Sequence, residues 1–104
     1  YTIRLVPIEN EEEGWETWYT ALSSLSVRTR KDGDRIHLLQ NEGKKKVSRV
    51  FIDEKIPTYE RNVWLLVVDE RDEVRAIPFV RYDAAFSNER RSTDRYALQM
   101  RKEK

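Results

Sequence analysis

No cysteine occurs in the chain, which excludes disulfides and thiolate metal sites and fits a reducing compartment, so the expected location is the cytoplasm. The only histidine is His37, placed in an apolar run where a structural role is the simpler reading, so the nucleophile–base pairs of covalent catalysis have no obvious members. The carboxylates are many but show no metal-ligand spacing. The Gly43-Lys44 pair lacks the first glycine of a phosphate-binding loop at the required distance and no Ser or Thr follows it. No apolar run approaches the roughly 20 residues that a membrane span needs, and no basic-then-apolar leader is visible. The chain starts at Tyr1 without Met, which suggests a piece cut from a longer protein. The expectation is a fragment with no catalytic, cofactor or metal residues of its own and no membrane association.

What is present is charge and aromatic bulk. Charged residues make up 38% of the chain and hydrophobic residues another 38%. A length of 104 residues fits one domain with an economical core. Three Trp, five Tyr and three Phe argue for a packed fold rather than disorder. The net charge of +1 hides segregation: residues 1–27 carry −4, residues 28–49 carry +5, residues 50–83 carry −3 and residues 84–104 carry +3. A basic middle beside an acidic start gives a directional field and points to a polyanionic partner, RNA foremost. The plainer reading is a solvated charged surface.

Hydrophobic alternation predicts a strand over Tyr1–Ile8, with Pro7 near its end. Trp15–Leu22 fits either period and is assigned to a strand on its aromatic and β-branched content; its aromatics read as core. Leu25–Arg30 alternates so that a half-buried strand would present Arg28 and Arg30 on its exposed face. Lys31-Asp32-Gly33-Asp34 predicts a turn, and Asn41-Glu42-Gly43 a second. Val47, Val50 and Phe51 mark the apolar stripe of a helix over Lys45–Glu54. That helix would place Lys44–Lys46 at its N-terminus, against the helix dipole but well sited for an anion. Pro57 stops it, and Thr58 is expected to cap a short helix over Tyr59–Asn62. Val63–Val68 is the most apolar stretch, followed by a hairpin turn at Asp69–Asp72. The return strand runs over Glu73–Arg81, with Val74 and Ala76 opposite Arg75 and Ile77, and with Pro78 at an edge or bulge. Asp83–Asp94 is a polar connection, Tyr96–Met100 a closing strand, and Arg101–Lys104 a frayed end.

Four strings in order now stand out: Val27-Arg28-Thr29-Arg30-Lys31-Asp32-Gly33-Asp34-Arg35-Ile36, then Gly43-Lys44-Lys45-Lys46-Val47, then Phe51-Ile52-Asp53-Glu54-Lys55-Ile56-Pro57, then Arg61 with Trp64. Together they resemble the C-terminal domain of the bacterial tRNA(Ile)-lysidine synthetases, TilS. The likeness in order and gaps covers about residues 25–83, with Thr93–Met100 similar to the family's last strand and the first 24 residues matching loosely. Two positions depart from the family pattern: Leu65 follows Trp64 where Trp-Pro is usual, and Phe79 follows Pro78 where Pro-Gly is usual.

The resemblance implies an α+β fold, a compact mixed β-sheet or sandwich with one or two short helices. It implies a tRNA-holding module, directed at the acceptor stem, of an enzyme that uses ATP (with Mg) to attach lysine to the wobble cytidine of tRNA(Ile) with the CAU anticodon. Catalysis would lie in an N-terminal domain with a Ser-Gly-Gly-x-Asp-Ser loop, which this chain does not contain. The implied partners are tRNA(Ile) and that N-terminal domain. The candidate RNA-contacting residues are Arg28, Arg30, Lys31, Arg35, Lys44, Lys45, Lys46 and Arg49, with Lys55, Arg61 and Arg81 as further candidates. Asp32, Gly33 and Asp34 read as shapers of the turn, and Phe51, Ile56 and Trp64 as core. The competing expectation is a structural module that docks on another domain or forms a homodimer through its segregated charges.

Overall fold

The computed structural model describes residues 1–37 and 43–102. The chain forms two compact units: Ser24–Ala84, and Tyr1–Ser23 together with the chain from Ala85 on. Each has its own sheet. With two sheets and two short α-helices the fold is α+β, as the resemblance implies.

In the unit built from both ends, β1 (Thr2–Pro7), β10 (Tyr96–Arg101), β2 (Glu16–Thr20) and β9 (Phe86–Ser87) form an antiparallel sheet in the order β1-β10-β2-β9. Trp15–Leu22 therefore does supply a strand, β2. Tyr96–Met100, expected as a closing strand, is one, and it is central in its sheet: Leu98 lies between Leu5 and Trp18. Ala97, Leu98, Gln99 and Met100 are all fully buried, so side chains on both faces of this strand are covered and it needs no polar outer face. The strand continues through Arg101, so the expected fraying does not begin there; Glu103 and Lys104 lie outside the described residues. Gln99 is the polar exception and is satisfied. Its Nε2 donates to the Glu12 carbonyl at 2.8 Å and to Thr17 Oγ1 at 3.1 Å, while its Oε1 accepts from the Glu12 N–H at 3.2 Å. The acidic loop after β1 is thereby tied to the sheet. The polar connection Asp83–Asp94 contains the two-residue strand β9 and the buried Phe86.

In the Ser24–Ala84 unit the order is β3 (Ser26–Thr29), β6 (Leu65–Val68), β7 (Val74–Ile77), β4 (Arg35–His37), β5 (Lys44–Lys46), with β8 (Arg81–Tyr82) also on β7. Helices α1 (Val47–Asp53) and α2 (Thr58–Arg61) separate β5 from β6. Ile36, Val47, Val50, Phe51, Trp64, Leu66, Val68, Val74 and Ile77 form one buried cluster. The Trp64 indole N–H donates to the Pro78 carbonyl at 3.1 Å, which satisfies its polar atom inside that core.

Several local expectations are corrected. Lys44–Lys46 is a strand rather than a first helical turn, because it pairs with β4: Arg35 opposite Lys46, Ile36 opposite Lys45 and His37 opposite Lys44. Pro57, not Thr58, is the N-cap of α2, where its missing N–H costs nothing. Val74 and Ile77 share the core face, against the simple alternation, because β7 bulges: Val67 pairs with Ala76 but Val68 with Val74, leaving Arg75 as the extra residue. The return strand does not run to Arg81; it turns at Pro78–Val80 and folds back as β8, with Ile77 opposite Arg81. Of the second predicted turn, Gly43 has φ +85°, while Asn41 and Glu42 lie outside the described residues.

The end of α1 carries a strained residue. The Ile56 N–H bonds to the Phe51 carbonyl at 2.9 Å and the Lys55 N–H to the Ile52 carbonyl at 3.0 Å, the pattern of a Schellman stop, which favours glycine at its left-handed position. That position is held by Lys55 at φ +58°. Lys55→Gly is expected to stabilise the chain by about 0.5–1 kcal/mol, the relief of the left-handed penalty less the added freedom of the unfolded chain. A urea titration checks this; an unchanged or lower midpoint would contradict it.

Candidate nucleic-acid interface

The basic stretch divides into cations committed to the fold and cations that are not. Arg28 belongs to the first group. It pairs across the sheet with Leu66, so it shares the core-side face, while Val27 is the more exposed neighbour at 39%. This reverses the expected facing of β3. All five guanidinium N–H groups are used. Nη1 and Nη2 clamp the Asp34 carboxylate at 2.9 and 2.8 Å, Nε donates to Asp72 Oδ1 at 2.8 Å, and the remaining two go to the carbonyls of Thr29 (2.9 Å) and Asp72 (3.3 Å). Asp34 also accepts the Lys31 N–H at 2.7 Å, closing the Lys31–Asp34 turn, and Lys31 Nζ reaches Asp72 at 3.0 Å. Two turns, one before β4 and one before β7, are thus held together by one arginine.

The electrostatics follow the contacts. Hydrogen bonds from Arg28 and then Lys31 hold the Asp72 carboxyl below the usual range. For Asp34 burial works upward, but Arg28 and the Lys31 N–H outweigh it and the net direction is down. The hydrogen bonds to Asp34 raise Arg28 further still above its already high value. A second clamp serves β7: Arg75 bridges Asp69 at 2.9 Å and the buried Asp83 at 3.2 Å. The sequence placed Asp34 in the turn correctly but offered no signal for Asp72 as a partner of Arg28, 44 residues away.

The β4–β5 hairpin holds the second group. Ile36 is fully buried and its partner Lys45 shares its face, so Arg35, Lys44, Lys46 and His37 share the other. Arg35 and Lys46, directly opposite one another, are exposed, and among the described residues neither has an ion-pair partner. Among the described residues Lys44 pairs with Glu73, at 3.3 Å with both side chains about 40% exposed; such a pair contributes little and exchanges readily. Lys45 is turned to Asp53 of α1, which Arg49 also reaches at 3.4 Å. The Lys45 hydrogen bond is the main reason that the Asp53 carboxyl is lowered; Arg49 and Arg81 add to it. Lys45 and Arg49 therefore share one carboxylate, and among the described residues the buried Arg81 Nε has no hydrogen-bond partner. β5 is also the edge of its sheet, where lysines discourage pairing with another chain.

The remaining candidates lie elsewhere on the unit. Arg30 Nε and Nη2 donate to Asn62 Oδ1 at 3.2 and 3.0 Å, Arg61 Nε donates to the Ile56 carbonyl at 2.8 Å, and Lys55 is exposed beyond α1. The structure brings Arg35 to the three lysines. It leaves Arg28 and Arg30 on or beyond β3, the opposite edge of the sheet. Among the described residues no group of three or more His, Asp or Glu side chains is placed to hold a metal ion, and no helix is long and apolar enough to cross a membrane.

Residues 25–98 match the family described as the TilS substrate C-terminal domain. The chain belongs to the TilS C-terminal domain family. It is 42% identical over 77 residues to the tRNA(Ile)-lysidine synthase of Bacillus subtilis strain 168, an alignment covering 74% of this chain and 16% of that protein. It is 32% identical over 95 residues to the tRNA(Ile)-lysidine synthase of Bacillus cereus strain ATCC 10987, covering 89% of this chain and 20% of that protein. A crystal structure of a TilS C-terminal domain superimposes with a TM-score of 0.68 at 28% identity, over 93% of this chain and 78% of that one. The chain thus spans about a sixth to a fifth of the length of these curated relatives.

Phe79 sits at φ +71° in the turn between β7 and β8, a conformation that glycine adopts without cost. Here the aromatic ring packs against the buried cluster and the Phe79 N–H donates to Tyr82 Oη at 2.9 Å. Both contacts offset the backbone strain.

Proposed function

We propose that this chain is the tRNA-binding module of a longer tRNA(Ile)-lysidine synthase, helping to seat the acceptor stem while a separate ATP-using domain attaches lysine to the wobble cytidine. The observation that carries this reading is the β4–β5 edge: Arg35, Lys44 and Lys46 on one exposed face, with Lys45 and Arg49 on Asp53 of α1. A-form RNA hides its base edges in a deep major groove and displays phosphates and 2′-hydroxyls. A row of exposed cations suits that backbone: among the described residues Arg35 and Lys46 have no acidic partner, and Lys44 has a weak surface pair with Glu73. Arg28 acts here as a positioning residue that sets the turn before β4, since its donors are already occupied. Lys31, Arg30, Arg61 and Lys55 are secondary contacts at most.

A docking role is favoured by one specific observation: Ile52, Tyr59 and Val63, on and after the two helices, are 50%, 79% and 67% exposed. The two readings separate in an NMR titration of the 104-residue chain with a short RNA duplex. The tRNA reading expects amide shifts over Arg35–His37 and Lys44–Arg49. Shifts confined to the helices, or none at salt near 0.1 M, would count against it.

A further inference from the structure

The unit formed by the two ends of the chain holds an open cleft of about 610 Å³ that the hairpin reading does not use. Its frame is firmly built. Tyr96 pairs with Pro7 on one side and Thr20 on the other. The Ile8 N–H donates to the Arg95 carbonyl, and the Arg95 N–H to the Thr20 carbonyl, each at 3.0 Å. The approach to β10 is pinned by Arg91, whose guanidinium and N–H hold Asp94 at 2.9 and 2.7 Å. Asp94, fully buried in its side chain, is thereby compensated inside the protein.

Two other arginines line the same cleft, Arg90 and Arg95. Both are exposed, and among the described residues neither side chain has a hydrogen bond or ion pair. Pro7, Ile8 and Tyr96 supply apolar and aromatic surface, and Glu9 supplies one exposed carboxylate at the rim. The volume lies in the range of small-ligand sites, roughly 300–1,000 Å³. Two exposed guanidiniums beside a tyrosine suit an anion joined to a flat ring, with the buried Asp94 of the same lining already held by Arg91: guanidiniums fork onto phosphate oxygens, and an aromatic face stacks any base. Glu9 can only accept hydrogen bonds, so it fits a base amino group or a ribose hydroxyl and repels a second phosphate.

We propose that this cleft binds one unpaired nucleotide of RNA, its phosphate on Arg90 and Arg95 and its base against Tyr96. The inference rests on the RNA-binding reading of the chain but uses a different surface and a different form of RNA. The test is an NMR titration of the 104-residue chain with a single-stranded RNA tetranucleotide, cytidine monophosphate and inorganic phosphate. The tetranucleotide and the monophosphate are expected to move the amides of Ile8, Arg95 and Tyr96. Arg90→Ala with Arg95→Ala, both exposed and hence harmless to folding, is expected to weaken the tetranucleotide about tenfold near 0.15 M salt, with duplex binding unchanged. Inorganic phosphate binding as tightly as the monophosphate would reduce the site to an anion hole and overturn the proposal. So would full tetranucleotide affinity in the double variant, or shifts only at the hairpin. If the cleft responds as stated while Arg35→Ala/Lys44→Ala/Lys46→Ala leaves duplex binding intact, the hairpin assignment fails and the cleft stands.

Discussion

Arg28→Ala is expected to lower the unfolding free energy by about 2–3 kcal/mol, more than any other single change in the basic stretch. The side chains of Arg28 and Asp34 are only 16% and 10% exposed. Removing one member of a buried pair costs about 3–5 kcal/mol because the other charge stays desolvated, and partial exposure discounts that figure. For a chain of this size the melting temperature should fall by roughly 10–20 °C. Arg28→Lys should recover little, since an ammonium cannot reproduce a planar fork that serves Asp34, Asp72 and two carbonyls at once. Pairing Arg28→Ala with Asp34→Ala should return part of the loss, because the stranded carboxylate goes too. The same clamp sets the acid response. Asp34 and Asp72 titrate below their ordinary range in the folded chain. Between those lowered values and the unfolded carboxylate near 3.9, the unfolded chain binds more protons, so stability is present above about pH 4 and is lost as the pH falls further. Arg28→Ala should flatten that acid limb. Urea midpoints at pH 7, 5 and 3.5 measure both effects; a loss under about 0.5 kcal/mol with an unaltered acid limb would show that Arg28 is an ordinary surface cation.

Arg35→Ala/Lys44→Ala/Lys46→Ala is expected to do the opposite: little to stability, much to RNA binding. These three residues are exposed, and only Lys44 has an ion-pair partner among the described residues, a surface pair with Glu73, so the fold loses at most a few tenths of a kcal/mol. Each phosphate contact released by a cation contributes roughly 0.9 to the logarithmic salt slope. Near 0.15 M salt three such contacts amount to about a hundredfold in affinity on that footing. Lys45→Ala should cost less, because Lys45 is already bound to Asp53. Duplex affinity measured at fixed salt, beside a thermal melt of each variant, separates contact from folding. An affinity change below about threefold in the triple variant would remove the hairpin from the interface.

The elements were legible where local pattern decides structure. Alternation marked β1 and β10, aromatic and β-branched content tipped the ambiguous Trp15–Leu22 towards β2, the Val47-Val50-Phe51 spacing marked α1, and Asp-Gly and Asp-Glu-Arg-Asp marked the turns before β4 and β7. Pattern failed where a partner distant in the chain decides. Three successive lysines have no tendency to form a strand, and β5 exists because Arg35–His37 offers it a ladder. Arg28 reads as an outward residue by alternation, and the carboxylates of Asp34 and the distant Asp72 make the inward position favourable. The bulge at Arg75 shifts Ile77 into the core, and nothing in a two-residue period announces it. Composition located the basic cluster, but charge counting could not separate cations held by Asp34, Asp72 and Asp53 from those left open at Arg35 and Lys46. That distinction needed the pairing of the strands.

The proposed RNA binding depends on that separation between cations spent on the fold and cations left open. Its most direct test is the salt dependence of duplex RNA binding by the 104-residue chain and by the Arg35→Ala/Lys44→Ala/Lys46→Ala variant. Plotted as log affinity against log salt, the slope should become shallower by roughly 2–3 in the triple variant. An unchanged slope would contradict the assignment of the β4–β5 edge to RNA phosphates.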